Sequence, residues 1–182
     1  MSYSCVAADP PWQFDDKLPG PKRGADTHYL CMPVDQICCL KLPEISPDAI
    51  LFLWRVASMQ EEALQVVRAW GFVPKSEIVW YKVNTSGHPQ MGMGRTVRNA
   101  HETCIVATRG KYSKLIDSHR ELSVFSAQRR SHSEKPAEFY ALVERLCVGP
   151  RVELFARRHR PGWDCLGSEL GTELEVDSDL MS

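Results

Sequence analysis

The chain has no Cys-x-x-Cys pair, no Gly-x-Gly-x-x-Gly after an apolar run, no stretch of eighteen apolar residues and almost no net charge. Each absence removes a class of protein. Without paired cysteines at short spacing, the seven that exist (Cys5, Cys31, Cys38, Cys39, Cys104, Cys147, Cys165) read as reduced core thiols, and no metal site is expected. Without the glycine fingerprint a nicotinamide-dependent dehydrogenase is disfavoured. Without a long apolar run, no helical membrane span is expected. Met1-Ser2-Tyr3-Ser4 carries no basic stretch leading into an apolar one, so the expected location is the cytoplasm. The net charge of -1 hides an asymmetry: Glu169, Glu173, Glu175, Asp177 and Asp179 fall in the last fourteen residues, which hold no Lys or Arg. Residues 1–168 keep 22 basic against 18 acidic residues, a balance of +4 that is too mild to announce a nucleic-acid binder by itself. These features predict one domain over 1–170 and a disordered acidic tail over 171–182.

What is present alternates. Cys5-Val6-Ala7-Ala8 reads as a short strand stopped by Asp9-Pro10-Pro11, because proline cannot continue a central ladder. Pro33 to Leu40 suggests a short helix. Ile50-Leu51-Phe52-Leu53-Trp54 is a continuous apolar run, as in a strand buried on both faces. Met59, Ala63, Val66, Val67 and Trp70 recur at helical spacing before Gly71. Ile78–Tyr81 and Thr103–Ala107 read as strands. Ser133 is placed to cap a helix with Pro136 in its first turn and an apolar face of Phe139, Leu142, Val143 and Leu146, and Val152–Phe155 is a last strand. Strands separated by helices predict an α/β fold, a mostly parallel sheet with helices on both faces. Ligands in such sheets bind beyond the carboxyl ends of the strands. That rule singles out Asp9-Pro10-Pro11-Trp12 and Arg157-Arg158-His159-Arg160. Residues 83–101 form the longest loop.

The first of these turns has a specific chemistry to offer. The 6-amino group of adenine is a poor nucleophile because its lone pair is delocalised into the ring. A catalyst must accept both N–H bonds so that the nitrogen can pyramidalise. One carboxylate and one backbone carbonyl in the same turn suffice, and Asp9 with the Pro10 carbonyl supplies them. Two prolines restrict the backbone and hold the acceptors in place, and preorganised acceptors favour the positive charge that develops on nitrogen. Trp12 adds an aromatic face for a base out of its stack. The bland alternative, a polar strand cap with a core tryptophan, is as common for a bare tetrapeptide.

Further blocks carry a resemblance. The Ala8–Trp12 signature is joined by Leu51–Trp54, Trp70-Gly71-Phe72, Glu77–Lys82 and Gly94-Arg95-Thr96. Arg130–Pro136, Glu144-Arg145-Leu146, Glu153–Arg157, Trp163 and Leu166-Gly167 follow in order. From about Val6 to Leu170 the chain resembles the adenine-N6 methyltransferase family named after the seventy-kilodalton subunit of mRNA adenosine methyltransferase, in the form of its small bacterial or phage members. The resemblance implies a Rossmann-like methyltransferase fold with the catalytic block before the cofactor block, and S-adenosylmethionine as cofactor. It implies Asp9, Pro10, Pro11 and Trp12 as the catalytic turn, with Asp9 also near the cofactor. Lys135, Arg157 and His159 match family positions that hold the cofactor's methionine and ribose parts, and Ser168 and Glu169 fall where the family faces the ribose. Arg160 departs from a family Asn.

Nucleic acid is the implied partner, DNA favoured over RNA, with no membrane and with a homodimer left open. Arg95, Arg98, His101, Arg129 and Arg130 are the candidates for contacts with it, each weighed against an ordinary solvated surface. A Gly/Pro/Lys-rich segment from Leu18 to Asp26, followed by His28 and Tyr29, is read as a lid over the base. Trp54, Trp70 and Trp80 are read as core. Two other classes stay open: a non-catalytic nucleic-acid-binding partner, against which Asp9 and Lys135 speak, and methylation of a protein amide, against which Asp9 and Trp12 speak.

Overall fold

A computed structural model describes residues 1–13, 31–92, 96–129 and 134–180. The segment read as a lid, together with His28, Tyr29, Arg95, Arg130 and Ser133, lies outside the described residues. Seven strands form one sheet: β1 (Tyr3–Ala8), β2 (Ile45–Arg55), β3 (Val73–Val83), β4 (His101–Arg109), β5 (Val124–Gln128), β6 (Arg151–Leu154) and β7 (Asp164–Leu166). Their order across it is β5-β3-β4-β2-β1-β6-β7. Among the described residues, three α-helices accompany them: α1 (Val34–Cys38), α2 (Gln60–Ala69) and α3 (Ala137–Leu146). The pairs β1–β2, β1–β6, β3–β5 and β6–β7 are parallel. Strand β4 alone is reversed and pairs antiparallel with both β2 and β3. This is an α/β sheet of the Rossmann-like kind, mostly parallel as the alternation predicted.

Alternation along the strands divides the core in two. Val6 and Ala8 of β1, Leu51 and Leu53 of β2 and Ile105 of β4 face α1 and α2, meeting Ile37, Ala63, Val66 and Val67. Cys5, Ala7, Ile50, Phe52, Trp54 and Cys104 face the other way onto α3, meeting Phe139, Leu142 and Val143. With both faces covered, the central strands are apolar throughout, the signature read in Ile50–Trp54. Burying one such side chain contributes about 1.5–3 kcal/mol. The tryptophans read as core are buried. Trp70 and Trp80 also spend their indole N–H groups on the Ile37 and Ala127 carbonyls, both at 2.9 Å.

Some boundaries differ from expectation. Helix α3 begins at Ala137 with Pro136 at its N-cap, not in its first turn. Strands β5 and β7 were not expected from the sequence. The acidic end of the chain, expected to fray from 171, runs along α1's exit through residue 177. The Lys41 N–H donates to the Glu175 carbonyl at 2.8 Å, and the Asp177 N–H to the Cys39 carbonyl at 2.7 Å. Leu174 and Val176 supply the apolar contacts with the core that the acidic composition hid. Among the cysteines, the buried sulfurs of Cys5 and Cys147 meet, with Cα atoms 7.2 Å apart, wider than disulfides usually span.

Candidate active site

Because β1, β2, β3, β5 and β6 all point the same way, their carboxyl ends share one edge. The reversed β4 brings its first residues to that same edge. There a cavity of about 350 Å³ is lined by the whole turn from Asp9 to Trp12, by Lys82 at the end of β3, by His101 and Glu102 at the start of β4, and by Arg129, Lys135 and Arg157. Strand β1 lies at the point where the sheet changes direction, with β2 on one side and β6 on the other, which is where open α/β sheets take their ligands.

The turn after β1 is clamped from several directions. The Trp12 N–H donates back to the Pro10 carbonyl at 2.8 Å, and the Met32 N–H donates to the Pro11 carbonyl at 2.7 Å. The Trp12 indole N–H donates to the Trp54 carbonyl at 3.0 Å. Trp12 is 4% exposed, so it stands as a fixed wall of the cavity as well as a core residue. The Pro10 carbonyl retains a second lone pair beyond the one that Trp12 uses.

Behind the turn lies a line of alternating charges. Lys135 Nζ is 2.8 Å from Asp9 Oδ2 and 3.0 Å from Glu102 Oε2, and Lys82 Nζ is 2.6 Å from Glu102 Oε1. Lys135 precedes Pro136, which restricts its backbone to extended conformations, and its side chain is 10% exposed. Its ammonium also sits 5.1 Å from the centre of the Trp54 ring. Burial pushes the Asp9 carboxyl up, more than Lys135 pulls it down. Burial acts the same way on Glu102, but Lys135 and Lys82 together outweigh it and hold that carboxyl down at about 2. Burial opposes charge on Lys135, yet Asp9 and Glu102 hold its ammonium above the usual lysine value. The cation is therefore locked on by two anions, and Asp9 Oδ2 is committed to it.

The chain beyond β6 completes the other flank. Phe155 has φ +63°, in the left-handed region that costs a non-glycine residue about 1–2 kcal/mol, and this turn carries Arg157 to the cavity. Arg157 Nε lies 3.6 Å from Glu169 Oε1, in the 3₁₀ turn Ser168–Leu170 that follows β7. His159 and Ser168 are exposed and lie outside the cavity lining. Arg160, the departure from the resembled pattern, is directed elsewhere: its guanidinium lies 3.2 Å from the Tyr140 ring centre and 3.6 Å from Glu153, which also accepts the Tyr140 hydroxyl. Of the residues assigned to nucleic acid, His101 and Arg129 line the cavity, and Arg98 is exposed on the neighbouring loop. Glu102 and Lys82 were not singled out from the sequence as site residues, although Lys82 closes one of the resembled blocks.

A model of the MT-A70 family matches residues 3–169. The chain belongs to the MT-A70 family. It is 31% identical to the N(6)-adenosine-methyltransferase MT-A70-like protein of Drosophila melanogaster, over 99% of this chain and 29% of the relative. Identity to the human N(6)-adenosine-methyltransferase catalytic subunit METTL3 is also 31%, over 99% of this chain and 30% of that protein. The chain thus spans about 30% of the length of these relatives. The type II methyltransferase M.MunI of Mycoplasma is 27% identical over 92% of this chain and 78% of its own length.

MT-A70 methyltransferases depend on S-adenosylmethionine. The donor set of this cavity fits that molecule. Lys135 and Arg157 offer cations for its carboxylate, and Glu169, exposed outside the cavity lining but 3.6 Å from Arg157, offers acceptors for sugar hydroxyls. The volume is within the range of small-molecule sites. Among the described residues no group of three His, Cys, Asp or Glu side chains comes together as a metal site.

Proposed function

We propose that this chain transfers a methyl group from S-adenosylmethionine to the 6-amino group of adenine in a nucleic acid. The observation that carries the reading is the clamped turn at the end of β1. It brings Asp9 and Pro10 to a cavity that Lys135 and Arg157 also line, with Lys135 Nζ 2.8 Å from Asp9 Oδ2. When bound, S-adenosylmethionine supplies a methyl group on a sulfonium centre. Asp9 Oδ1 and the Pro10 carbonyl accept the two N–H bonds of the amine, so the nitrogen pyramidalises, its lone pair withdraws from conjugation with the ring and is free to face that methyl. Lys135, held on Asp9 Oδ2, opposes the effect of burial on that carboxyl and keeps it oriented. After transfer the nitrogen must shed a proton, and the Asp9 carboxylate is the base in contact with it. Trp12, fixed through its own N–H, closes the side of the base pocket.

Within this reading DNA is the favoured acceptor. The similarity to M.MunI, a type II methyltransferase, supports this choice. RNA is the second acceptor to test, and the names of the better-matched relatives favour it. Incubation with labelled S-adenosylmethionine and separate DNA, RNA and protein acceptors, followed by nucleoside mass spectrometry, tests both. N6-methyladenine in DNA is the expected product. Label on cytosine or on a protein amide would overturn the assignment.

A further inference from the structure

Exposed large apolar side chains are scattered over the described surface, with one grouping of consequence. Met91 and Val97, 76% and 71% exposed, stand on the two arms of the loop between β3 and β4. These arms are not loose. The Gly92 N–H donates to the Asn99 carbonyl and the Gln90 N–H to the Lys82 carbonyl, both at 2.8 Å. A Cβ on Gly92 would lie 2.6 Å from the Asn99 carbonyl oxygen, so the arms approach as closely as only glycine permits. Gly92 and Asn99 both line the cavity that holds Asp9. Met91 and Val97 are thus carried on a braced support beside the mouth of the site. Arg98 is exposed next to Val97, and Arg129 is exposed on the cavity wall.

A single exposed apolar side chain needs no explanation. Two of them beside a cavity mouth, next to cations suited to phosphates, do. An adenine whose two N–H bonds are gripped by Asp9 and Pro10 has left its pairing partner and its stack. The vacated step then exposes two apolar base faces to water, and the base returns unless something takes its place. Apolar side chains inserted between base steps fill such gaps, while neighbouring cations hold the backbone.

We propose that Met91 and Val97 form an apolar wedge that enters a nucleic-acid duplex at the step vacated by the extruded adenine. The inference rests on the reading that the cavity takes an adenine from nucleic acid. The wedge acts only where the target is paired, since an unpaired adenine leaves no gap to fill. Its test is the ratio of methylation rates on one adenine presented in a duplex and in a single strand. Replacing both residues, Met91→Ala with Val97→Ala, lowers the duplex-to-single-strand ratio on the order of tenfold, and Met91→Leu with Val97→Ile restores it. With 2-aminopurine at the target position of a duplex, binding brightens its fluorescence for the unaltered chain and less for the alanine pair. An unchanged ratio, with adenine still methylated, overturns the wedge and leaves the functional reading standing. No methylation of adenine in either form by the unaltered chain overturns the functional reading and the wedge with it.

Discussion

Asp9 holds Lys135 through one oxygen, and on the proposed reading it grips the amine through the other, a contact needed only as the nitrogen pyramidalises. Asp9→Ala therefore falls chiefly on turnover, with a modest loss of cofactor affinity because Lys135 loses one of its anchors. Single-turnover rates beside calorimetric binding separate the two, and near-normal turnover removes Asp9 from the chemistry. Lys135→Ala falls on affinity as well, beside any turnover it loses by releasing Asp9. It removes a charge-assisted contact worth about 1.5–3 kcal/mol and leaves two carboxylates facing the cavity, so S-adenosylmethionine binds on the order of tenfold to a hundredfold more weakly. Calorimetry reads this directly, and unchanged affinity places the cofactor's carboxylate elsewhere. Glu102 supplies a pH test. Its folded value of about 2 lies below the ordinary 4.5, so its stabilisation is present above pH 4.5 and is lost as pH falls toward 2. Asp9 has the opposite sign: raised by burial, it costs stability when ionised and adds no acid lability. Urea denaturation at pH 7 and pH 3 should show that Glu102→Gln loses less stability on acidification than the unaltered chain. Equal losses would place the acid-sensitive group elsewhere.

At the scale of elements, what was legible in the sequence depended on whether the chemistry sat in one short stretch. The turn after β1 was readable because Asp9, Pro10, Pro11 and Trp12 are consecutive, and the proline backbone says how they are held. Lys135 and Arg157 were reached only through the resemblance, since nothing local distinguishes them from other cations. Glu102 was missed for a topological reason. The rule that ligands meet the carboxyl ends of strands sends attention past the end of each strand, but β4 is reversed and delivers its first residues to the site. A period-2 pattern is the same in either direction, so this reversal leaves no mark in one sequence. The docked end of the chain escaped notice because two apolar residues, Leu174 and Val176, outweigh an acidic composition. One element-scale prediction follows from the packing of Gly167, before the 3₁₀ turn, on the backbone after β6. A Cβ there would land on the Ala156 carbonyl oxygen, and the Ala156 amide nitrogen is 2.8 Å away, with no flexible side chain to yield. Gly167→Ala therefore costs about 1–3 kcal/mol in denaturation and weakens cofactor binding by shifting Arg157. Wild-type stability and affinity in that variant would mean that the two segments do not need their close contact.

Over the whole molecule, the sheet order separates two groups of site residues. Strands β6 and β7 carry Arg157 and Glu169 on one side of the catalytic turn, while β3, β4 and β5 bring Lys82, His101 and Arg129 to the other. On the proposed reading, Arg157 and Glu169 serve the cofactor on one flank and His101 and Arg129 the nucleic acid on the other, with Lys135 and its anchors Asp9 and Glu102 between them. A net charge of -1 means that no general basic field draws the polyanion in, so the few cations around the mouth must supply the phosphate contacts. Each phosphate neutralised releases counterions and adds about 0.9 to the slope of log affinity against log salt for duplex DNA. Replacing Arg98 and Arg129 together with Gln should weaken nucleic-acid binding and flatten that slope by up to roughly two, with cofactor affinity unchanged. The same shortage of charge bears on the state of the target. Unpairing an adenine costs a few kcal/mol, and a site with few phosphate contacts offsets little of it. Single-stranded or mismatched adenine is therefore methylated faster than the same adenine in a perfect duplex. Titrations at several salt concentrations and rates on matched paired and unpaired substrates check both halves. An unaltered slope moves the phosphate contacts away from these two arginines, and equal rates mean that extrusion costs this protein nothing it does not recover.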